Sequence, residues 1–355
     1  MRTEFDTIDG AVALGSDSER PLKIPGGRML RVTPVFDTYW RFAAKRQQLF
    51  FARLSSPPPW TEDPVLRRYR FTNAYRAADR VSQYLIRHVI YDKPRELEDT
   101  IFRVLLFKFF NKIETWEKLL NAFGEVTLET FSVDHYSATL GRFIERGETI
   151  YSAAYIIPPP PFGATRKHTN HLRLLAHMMD DGAPQKCAAA RSLENVFQIL
   201  RSYPSLGKFL AFQLAIDLNY TSFVNFSEMD FVVAGPGACD GIRKCLADTA
   251  GLSEPEVIRV MSDIAGEHFD RLGLSFPDLW GRKLQLIDFQ NLFCEVDKYA
   301  RVLHPSVKGA RGRARIKQRY SASPRSLPQF YPPKWELSLP PALEQVTAVR
   351  ADRAN

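Results

Sequence analysis

The stretch EMDFVV sets one carboxylate, Asp230, among Met229, Phe231, Val232 and Val233. Apolar neighbours predict partial burial, and a poorly hydrated carboxylate acts strongly on any cation near it. Such a group can stabilise developing positive charge and orient water, or it can be a helix cap or a buried ion-pair acid. Two further acids, Asp288 and Glu295, lie in LQLIDFQNLFCEVDKYARV. At roughly 100° per residue they share one helical face with Asn291 and Lys298. There they can assist chemistry or neutralise nearby arginines.

A second set of polar groups occupies FTNAYRAADRVSQYLIR. If 72–89 is a helix, Asn73, Arg76, Arg80, Gln83 and Arg87 fall within one arc of roughly 80°. Asp79 flanks that arc and can orient an arginine. Amides pair with base edges and guanidinium forks match phosphate oxygens, so this face suits nucleic acid. A solvated surface is the plain alternative, although the face carries no Lys or Glu.

The elements that must position these groups read as helices. Leu193, Val196, Phe197 and Leu200 follow the i, i+3, i+4, i+7 pattern of a buried helical stripe. In YPSLGKFLAFQLAIDL, Pro204 and Gly207 are expected to shape a turn, with Gly207 supplying backbone freedom. A new helix starts at Lys208, and its first N–H groups can hold a phosphate. Helices are also expected over 33–54, 96–123, 131–151, 167–180, 241–250, 255–272 and 284–303, with few strands. The stripe Ile101, Leu105, Phe109, Ile113, Trp116 and Leu120 reads as core.

Proline runs divide the chain. SSPPPWTEDP is a connector, and IPPPPFG at 157–163 is the best boundary between lobes. The expected organisation is a loosely ordered segment over 1–29, a helical lobe over 30–157, a second lobe over 158–304 and a basic extension over 305–355. The fold class is mostly α and two-lobed. Residues 342–355 read as a frayed tail.

The 355 residues carry a net charge of +8, an apolar fraction of 45% and a charged fraction of 25%, ordinary globular values apart from the basic balance. The stretch 305–325, PSVKGARGRARIKQRYSASPR, holds seven Lys/Arg and no acid, so it is either a phosphate-tracking arm or a solvated tail. No apolar run approaches the roughly 18 residues of a membrane span, and 1–20 lacks a signal-peptide core. Four scattered cysteines suit a reducing compartment and form no cluster-binding pattern. A cytoplasmic monomer without membrane contact is expected.

His168-x-x-His171 lacks a third ligand, and no metal or other cofactor is expected. VVAGPGACDGIRK is not a phosphate-binding loop, because G-x-x-x-x-G-K-[ST] is absent, so a kinase active site is not expected here. Its Gly235 and Gly237 read instead as a tight turn that can approach DNA.

PSLGKFLA resembles the hairpin motif of the helix-hairpin-helix DNA glycosylase superfamily, with Ser205 in place of that family's first Gly. The superfamily's catalytic Asp lies roughly twenty residues after the last hairpin Gly, and Asp230 stands 23 residues after Gly207. Phe209 occupies the place of the nucleophilic Lys of bifunctional members, which favours hydrolysis by water. A longer resemblance covers about 31–320. The motifs R-F-T-N-x-Y-R-x-x-D-R-x-S-Q-Y-L and D-F-Q-N-x-x-C-E-x-x-K-Y, with the Gly235–Lys244 stretch, are similar to α-glutamyl/putrescinyl thymine pyrophosphorylases and to the helical partner of hydroxymethyluracil DNA kinases.

The resemblances imply a glycosylase-like helical fold and a DNA partner, phage DNA with modified bases. The first expectation is a monofunctional DNA glycosylase that flips a hydroxymethylated or glucosylated pyrimidine and excises it in antiviral defence. Asp230 would be catalytic, with Asp288 and Glu295 as further acids. Asn73, Arg76, Asp79, Arg80, Gln83, Gly207, Lys208, Gly235, Gly237, Gln290 and Lys298 would contact base or backbone. The alternatives are a transferase that places an amino acid or amine on pyrophosphorylated hydroxymethyluracil, and a non-catalytic module for modified DNA.

Overall fold

Pro34 and Thr33 show how the helices are started. Thr33 accepts from the Val35 N–H and Pro34 presets the first turn, so an N-terminus forms where sequence alone placed one. A computed structural model describes residues 19–321 and 328–341 of the chain. The expectations for residues 1–18, for 322–327 and for the tail 342–355 lie outside the described residues.

The order along the chain is β1 (Arg20–Lys23), β2 (Met29–Val32), α1 (Pro34–Ser55), α2 (Pro64–Arg68), α3 (Arg80–Tyr84), α4 (Leu97–Phe110), α5 (Ile113–Phe123) and α6 (Val133–Glu145). Then follow α7 (Lys167–Asp180), α8 (Ala183–Ala188), α9 (Leu193–Arg201), α10 (Lys208–Leu218), α11 (Pro236–Cys245), β3 (Leu246–Asp248), α12 (Glu254–Asp263), α13 (Ala265–Arg271) and α14 (Leu286–Leu303). The protein is mostly helical, as expected. Among the described residues the strands form one antiparallel sheet in the order β1-β2-β3. Residues 20–23 were expected to be loosely ordered, yet they pair with β2 in the register Arg20↔Val32 to Lys23↔Met29. Alternation explains it: Leu30 and Val32 turn into the core while Met29 and Arg31 stay out. Among the described residues no helix is long and apolar enough to cross a membrane.

The chain divides into two compact units. The first comprises Met1–Phe71, Gly235–Phe276 and Asn291–Tyr320, and the second Thr72–Ala234, Pro277–Gln290 and Ser321–Asn355. In the first unit α1 packs on α11, and Phe42, Tyr39, Phe293 and Tyr299 interlock along α1 and α14. Asp63 caps α2 by accepting from Val65 and Leu66 N–H, and also accepts from Lys45 Nζ at 2.7 Å and Tyr299 Oη at 2.5 Å. Gly237 sits inside α11, not in the turn expected of it, and Gly241, expected at the start of a helix, lies in the same helix. A Cβ at Gly237 would strike the Cys294 sulfur, and one at Gly241 the Phe293 carbonyl, so these glycines let α11 and α14 pack closely.

The second unit is built around α4, whose residues Ile101, Phe102, Val104, Leu105 and Leu106 are all fully buried. A helix apolar on every side needs neighbours on every side; α7, α8 and α10 all pack on it. The expected helix 96–123 breaks at Asn111, which adopts φ 49° and separates α4 from α5. The expected helix 72–89 is also interrupted. Residues 76–78 make a single tight turn, α3 follows, and 85–90 widens into a π-turn. The cause is local: Asp79 Oδ1 accepts the Asn73 N–H at 2.8 Å and Asn73 Nδ2 donates to the Ala78 carbonyl at 2.7 Å, closing a loop that competes with helix.

The α9–α10 hairpin forms at the expected residues, with Leu193, Val196, Phe197 and Leu200 buried. Its turn works differently. Ser205 takes the left-handed conformation, φ 65°, whereas Gly207 is an extended cap at φ −66°. The backbone freedom ascribed to Gly207 is therefore used two residues earlier, by a serine.

Candidate functional site

Two charges set within apolar runs of the second unit meet each other. Lys108 interrupts LLFKFF in α4, and Asp217 interrupts LAIDL in α10. Lys108 Nζ lies 3.3 Å from Asp217 Oδ2 and donates to Asn111 Oδ1 at 2.7 Å. Arg76 reaches the same carboxylate, donating from Nη2 to Asp217 Oδ1 at 2.8 Å. Its other donors meet Gln213 Oε1 at 3.0 Å and the Tyr220 hydroxyl at 2.9 Å. Gln213 in turn donates to Gln290 Oε1 at 3.4 Å.

All of these side chains are buried, Arg76 at 3% exposure and Asp217 at 0%. Unpaired charge is costly in such a place, so the network has to be satisfied internally. It nearly is. Asp217 Oδ2 stands at ion-pair distance from Lys108 but lacks hydrogen-bond alignment, and is a buried carboxylate oxygen with acceptor capacity left. Burial pushes the Lys108 ammonium down, Asp217 opposing and Arg76 adding to the shift. Burial also works against the Arg76 charge, but Asp217 and Tyr220 outweigh it. Two cations share one carboxylate here.

Over this centre sits Tyr155, its ring 5.0 Å from Lys108 Nζ and stacked on Phe209 of the hairpin at 5.8 Å. Both rings are half-buried. Tyr155 holds φ 57°, a conformation a large side chain adopts at a cost.

Asp288 lies deeper in the same unit. Its Oδ1 accepts the Arg76 N–H at 2.8 Å and its Oδ2 the Gln285 N–H at 2.9 Å, so it ties the 72–79 loop to the start of α14. Burial pushes the Asp288 carboxyl up to about 7; Glu228 adds to this and the two backbone donors oppose it. Glu228 itself is buried at 3%, 3.3 Å from Arg282 Nη2. Arg282 lies 3.7 Å from the Trp335 ring centre, and Lys334 donates to the Thr221 and Val224 carbonyls at 2.9 and 2.6 Å.

The expected sites are only partly brought together. Arg76, Asp288 and Gln290 belong to this network. Asp230, expected to be partly buried, is exposed, and the buried acid of EMDFVV is Glu228. Asn73, Arg76, Arg80 and Gln83 do not share a face, because the helix that would align them is interrupted. Arg76 points inward, Arg80 is exposed, and Asn73 and Asp79 hold each other's loop. Gln83 spends its amide on backbone, donating to the Ala77 carbonyl and accepting from the Phe330 N–H. Gly207 and Lys208 are exposed at the N-terminus of α10. In the first unit Gly235 caps α11, and Glu295 pairs with Lys298 at 2.6 Å.

His168 and His171 each face protein acceptors, the Ser137 and Pro158 carbonyls, and His171 Nδ1 meets the Tyr151 hydroxyl at 2.8 Å. Burial holds His171 down to about 4. Among the described residues no group of three or more His, Cys, Asp or Glu side chains could hold a metal ion. Lys108, Asp217, Gln213 and Glu228 were missed in the sequence. The available signal was the lone charge in an apolar run, since such residues are buried only when paired.

A protein-family profile described as the helical domain of 5-hmdU DNA kinase matches residues 33–309. A curated relative, the 5-hmdU DNA kinase of Bacillus phage SP10, is 26% identical over 285 residues, which cover 75% of this chain and 45% of the relative. The chain thus spans about half the length of that relative. No solved structure matches the chain. These findings overturn the glycosylase expectation. A kinase moves a phosphoryl group and breaks no N-glycosidic bond, so the hydrolase chemistry, the base flipping that would serve it and excision in antiviral defence all fall together. What remains is the longer of the two resemblances: with most of its length matched, the chain belongs to the family of 5-hmdU DNA kinase helical domains.

Proposed function

We propose that this chain serves DNA-base hypermodification: it holds DNA at 5-hydroxymethyl-2′-deoxyuridine and supports group transfer at the hydroxymethyl substituent, leaving the glycosidic bond intact. The observation that carries this is the family match over residues 33–309. In phosphoryl transfer the substrate hydroxyl attacks phosphorus, its proton must leave, and negative charge must be balanced. Asp217 Oδ2 is suited to take that proton, because its acceptor capacity is not used up. Lys108 and Arg76 are suited to balance an anion, being two cations on one carboxylate in a dry setting. Tyr155 covers the centre, and opening at its strained backbone would admit the base. The α9–α10 hairpin, a helix-hairpin-helix in this reading, offers the exposed N–H groups of Gly207 and Lys208 to a backbone phosphate.

A second reading is favoured by a specific observation. The sequence holds no G-x-x-x-x-G-K-[ST] motif, and in this second reading the chain is the DNA-holding partner of a separate phosphoryl-transfer protein. One experiment addresses both. Oligonucleotides carrying thymidine or 5-hydroxymethyl-2′-deoxyuridine are incubated with the chain and ATP, then digested for nucleoside mass spectrometry, with binding measured in parallel. A mass gain on the modified nucleoside supports the first reading. Preferential binding without a mass gain supports the second. Neither preference nor mass gain, or release of a free base, would sink the proposal.

A further inference from the structure

The first unit carries a feature that the centre around Asp217 does not use. Between the end of α1 and α2 lies a cavity of about 210 Å³, lined by Arg46, Arg53, Trp60, Arg67, Tyr69 and Tyr320, among others. A water takes about 30 Å³ of liquid volume, so a planar heterocycle fits. Three arginines and four aromatic residues, Phe71 among them, line it, and the lining has no Asp or Glu. Arg53 lies over the Trp60 ring at 5.4 Å, and Trp60 is oriented by donating from Nε1 to the Ser56 carbonyl at 2.8 Å. Trp60 and Tyr69 are half-buried and Tyr320 is exposed, so their rings are accessible from solvent.

The basic stretch 305–320 runs up to this cavity. It is not a free arm. The Tyr320 N–H donates to the Arg68 carbonyl and the Arg70 N–H to the Gln318 carbonyl, both at 3.1 Å, and Tyr69 and Arg319 form an antiparallel bridge. Further back, Arg313 pairs with Asp240 at 3.0 Å and Arg301 donates to the Arg315 carbonyl at 2.9 Å. These ties fix the backbone, leave Lys308, Arg311, Lys317 and Arg319 exposed, and set the 318–320 end of the stretch against the exposed Arg68 and Arg70. A fixed row of cations next to an aromatic pocket is the arrangement that single-stranded nucleic acid requires: cations follow the phosphates and rings stack on bases.

We infer that the first unit holds a single DNA strand, with one base stacked in the Trp60–Tyr69–Tyr320 cavity and its flanking phosphates on the 308–319 row. The inference rests on the proposed DNA substrate, but not on which base is modified. An acidic protein surface could match the charge of this patch but offers no planar bases to its rings, whereas a single nucleic-acid strand supplies both phosphates and bases.

The test is fluorescence anisotropy with labelled single-stranded oligonucleotides of thymidine and of 5-hydroxymethyl-2′-deoxyuridine, over a range of salt. The variants are Trp60→Ala, Trp60→Phe, and Lys317→Glu with Arg319→Glu, each verified as folded by thermal melting. Trp60→Ala is expected to weaken binding about tenfold, Trp60→Phe to restore most of it, and the double charge reversal to reduce the salt slope by about one or more. Unchanged affinity in Trp60→Ala and in the charge-reversed variant would overturn the inference, as would no binding by the wild type. Equal or tighter binding of the matching RNA would overturn it as a DNA site. If both oligonucleotides bind alike and both depend on Trp60, the strand site stands while the preference for a modified base fails. A preference and an affinity that both survive Trp60→Ala undiminished mean the reverse.

Discussion

Lys108 Nζ sits 3.3 Å from Asp217 Oδ2 inside the second unit, and Arg76 holds the other oxygen of the same carboxylate. The three charges are unequal in their dependence on each other. Removing Asp217 strands two buried cations, whereas removing Lys108 leaves Asp217 with Arg76. Breaking a buried pair typically costs about 3–5 kcal/mol, while an apolar replacement of similar shape can be nearly neutral. Asp217→Ala is therefore expected to destabilise by at least about 3 kcal/mol, and Lys108→Met by under about 2 kcal/mol. Urea unfolding of both variants checks this, and equal costs or the reverse order would refute it.

Asp288 gives a pH dependence whose sign is fixed by burial. Its folded-state value, about 7, is above its unfolded value of 3.8. The native state therefore binds a proton that the unfolded state releases between those two values. Its contribution to stability is complete below 3.8, declines as pH rises and levels off beyond about 7. The gap in melting temperature between wild type and Asp288→Asn should shift against the wild type from pH 4 towards 7, and stay flat above about 7.5. A gap that is constant over the lower window would show that Asp288 does not titrate there.

Much of this architecture is legible from periodicity. The α9–α10 hairpin and its stripe of Leu193, Val196, Phe197 and Leu200 follow directly from spacing, because apolar residues at helical intervals have one way to be buried. The 72–89 segment fails for a local reason. Asn73 and Asp79 bond to backbone five and six residues away, which no helical wheel anticipates, and the presumed common face dissolves. Asp230 fails for a similar reason, since apolar neighbours in sequence did not bury it. Glu228, two residues earlier, is the buried one, and it pairs with the half-buried Arg282. Lys108 and Asp217 were written in the sequence as anomalies, yet only the packing of α10 on α4 reveals that they answer each other.

Gly237 and Gly241 are expected to respond differently to alanine, although both face α14. At Gly241 the added carbon meets the Phe293 carbonyl and other backbone atoms, which cannot move away without shifting the helix. At Gly237 it meets the Cys294 side chain first. Overpacking of this kind costs about 1–3 kcal/mol. Cys294→Ala should recover most of the loss in Gly237→Ala and none of the loss in Gly241→Ala. Thermal melting of the two singles and two doubles decides it, and equal rescue of both would contradict the packing described.

The strap formed by residues 328–341 should stabilise the second unit through Lys334. Its ammonium donates to the Thr221 and Val224 carbonyls, and burial holds it down to about 8. Lys334→Met would leave two carbonyls without this donor, at about 1–3 kcal/mol. The sign of the pH effect is opposite to that of Asp288. The native state sheds a proton near 8 that the unfolded state keeps until about 10.5, so stability gained from deprotonation grows through that window. Wild type should therefore gain on Lys334→Met as pH rises from 8 towards 10.

Asp230 and Lys108 separate the transfer chemistry from the discarded excision chemistry. Asp230 is exposed, and its N–H donates to the Ser227 carbonyl in a surface turn, remote from the requirements of a dry reacting centre. Lys108 stands beside the carboxylate oxygen that has acceptor capacity to spare. With a 5-hydroxymethyl-2′-deoxyuridine oligonucleotide and a phosphoryl donor, Asp230→Asn should give the wild-type yield of modified nucleoside within about twofold. Lys108→Met, which should still fold by the first prediction, should lose roughly a hundredfold or more, the scale of removing one preorganised electrostatic partner. The measurement is nucleoside mass spectrometry after complete digestion, with unfolding curves recorded on the same samples. Loss of product in Asp230→Asn with retention in Lys108→Met would place the chemistry at the surface turn and remove the buried centre from the mechanism.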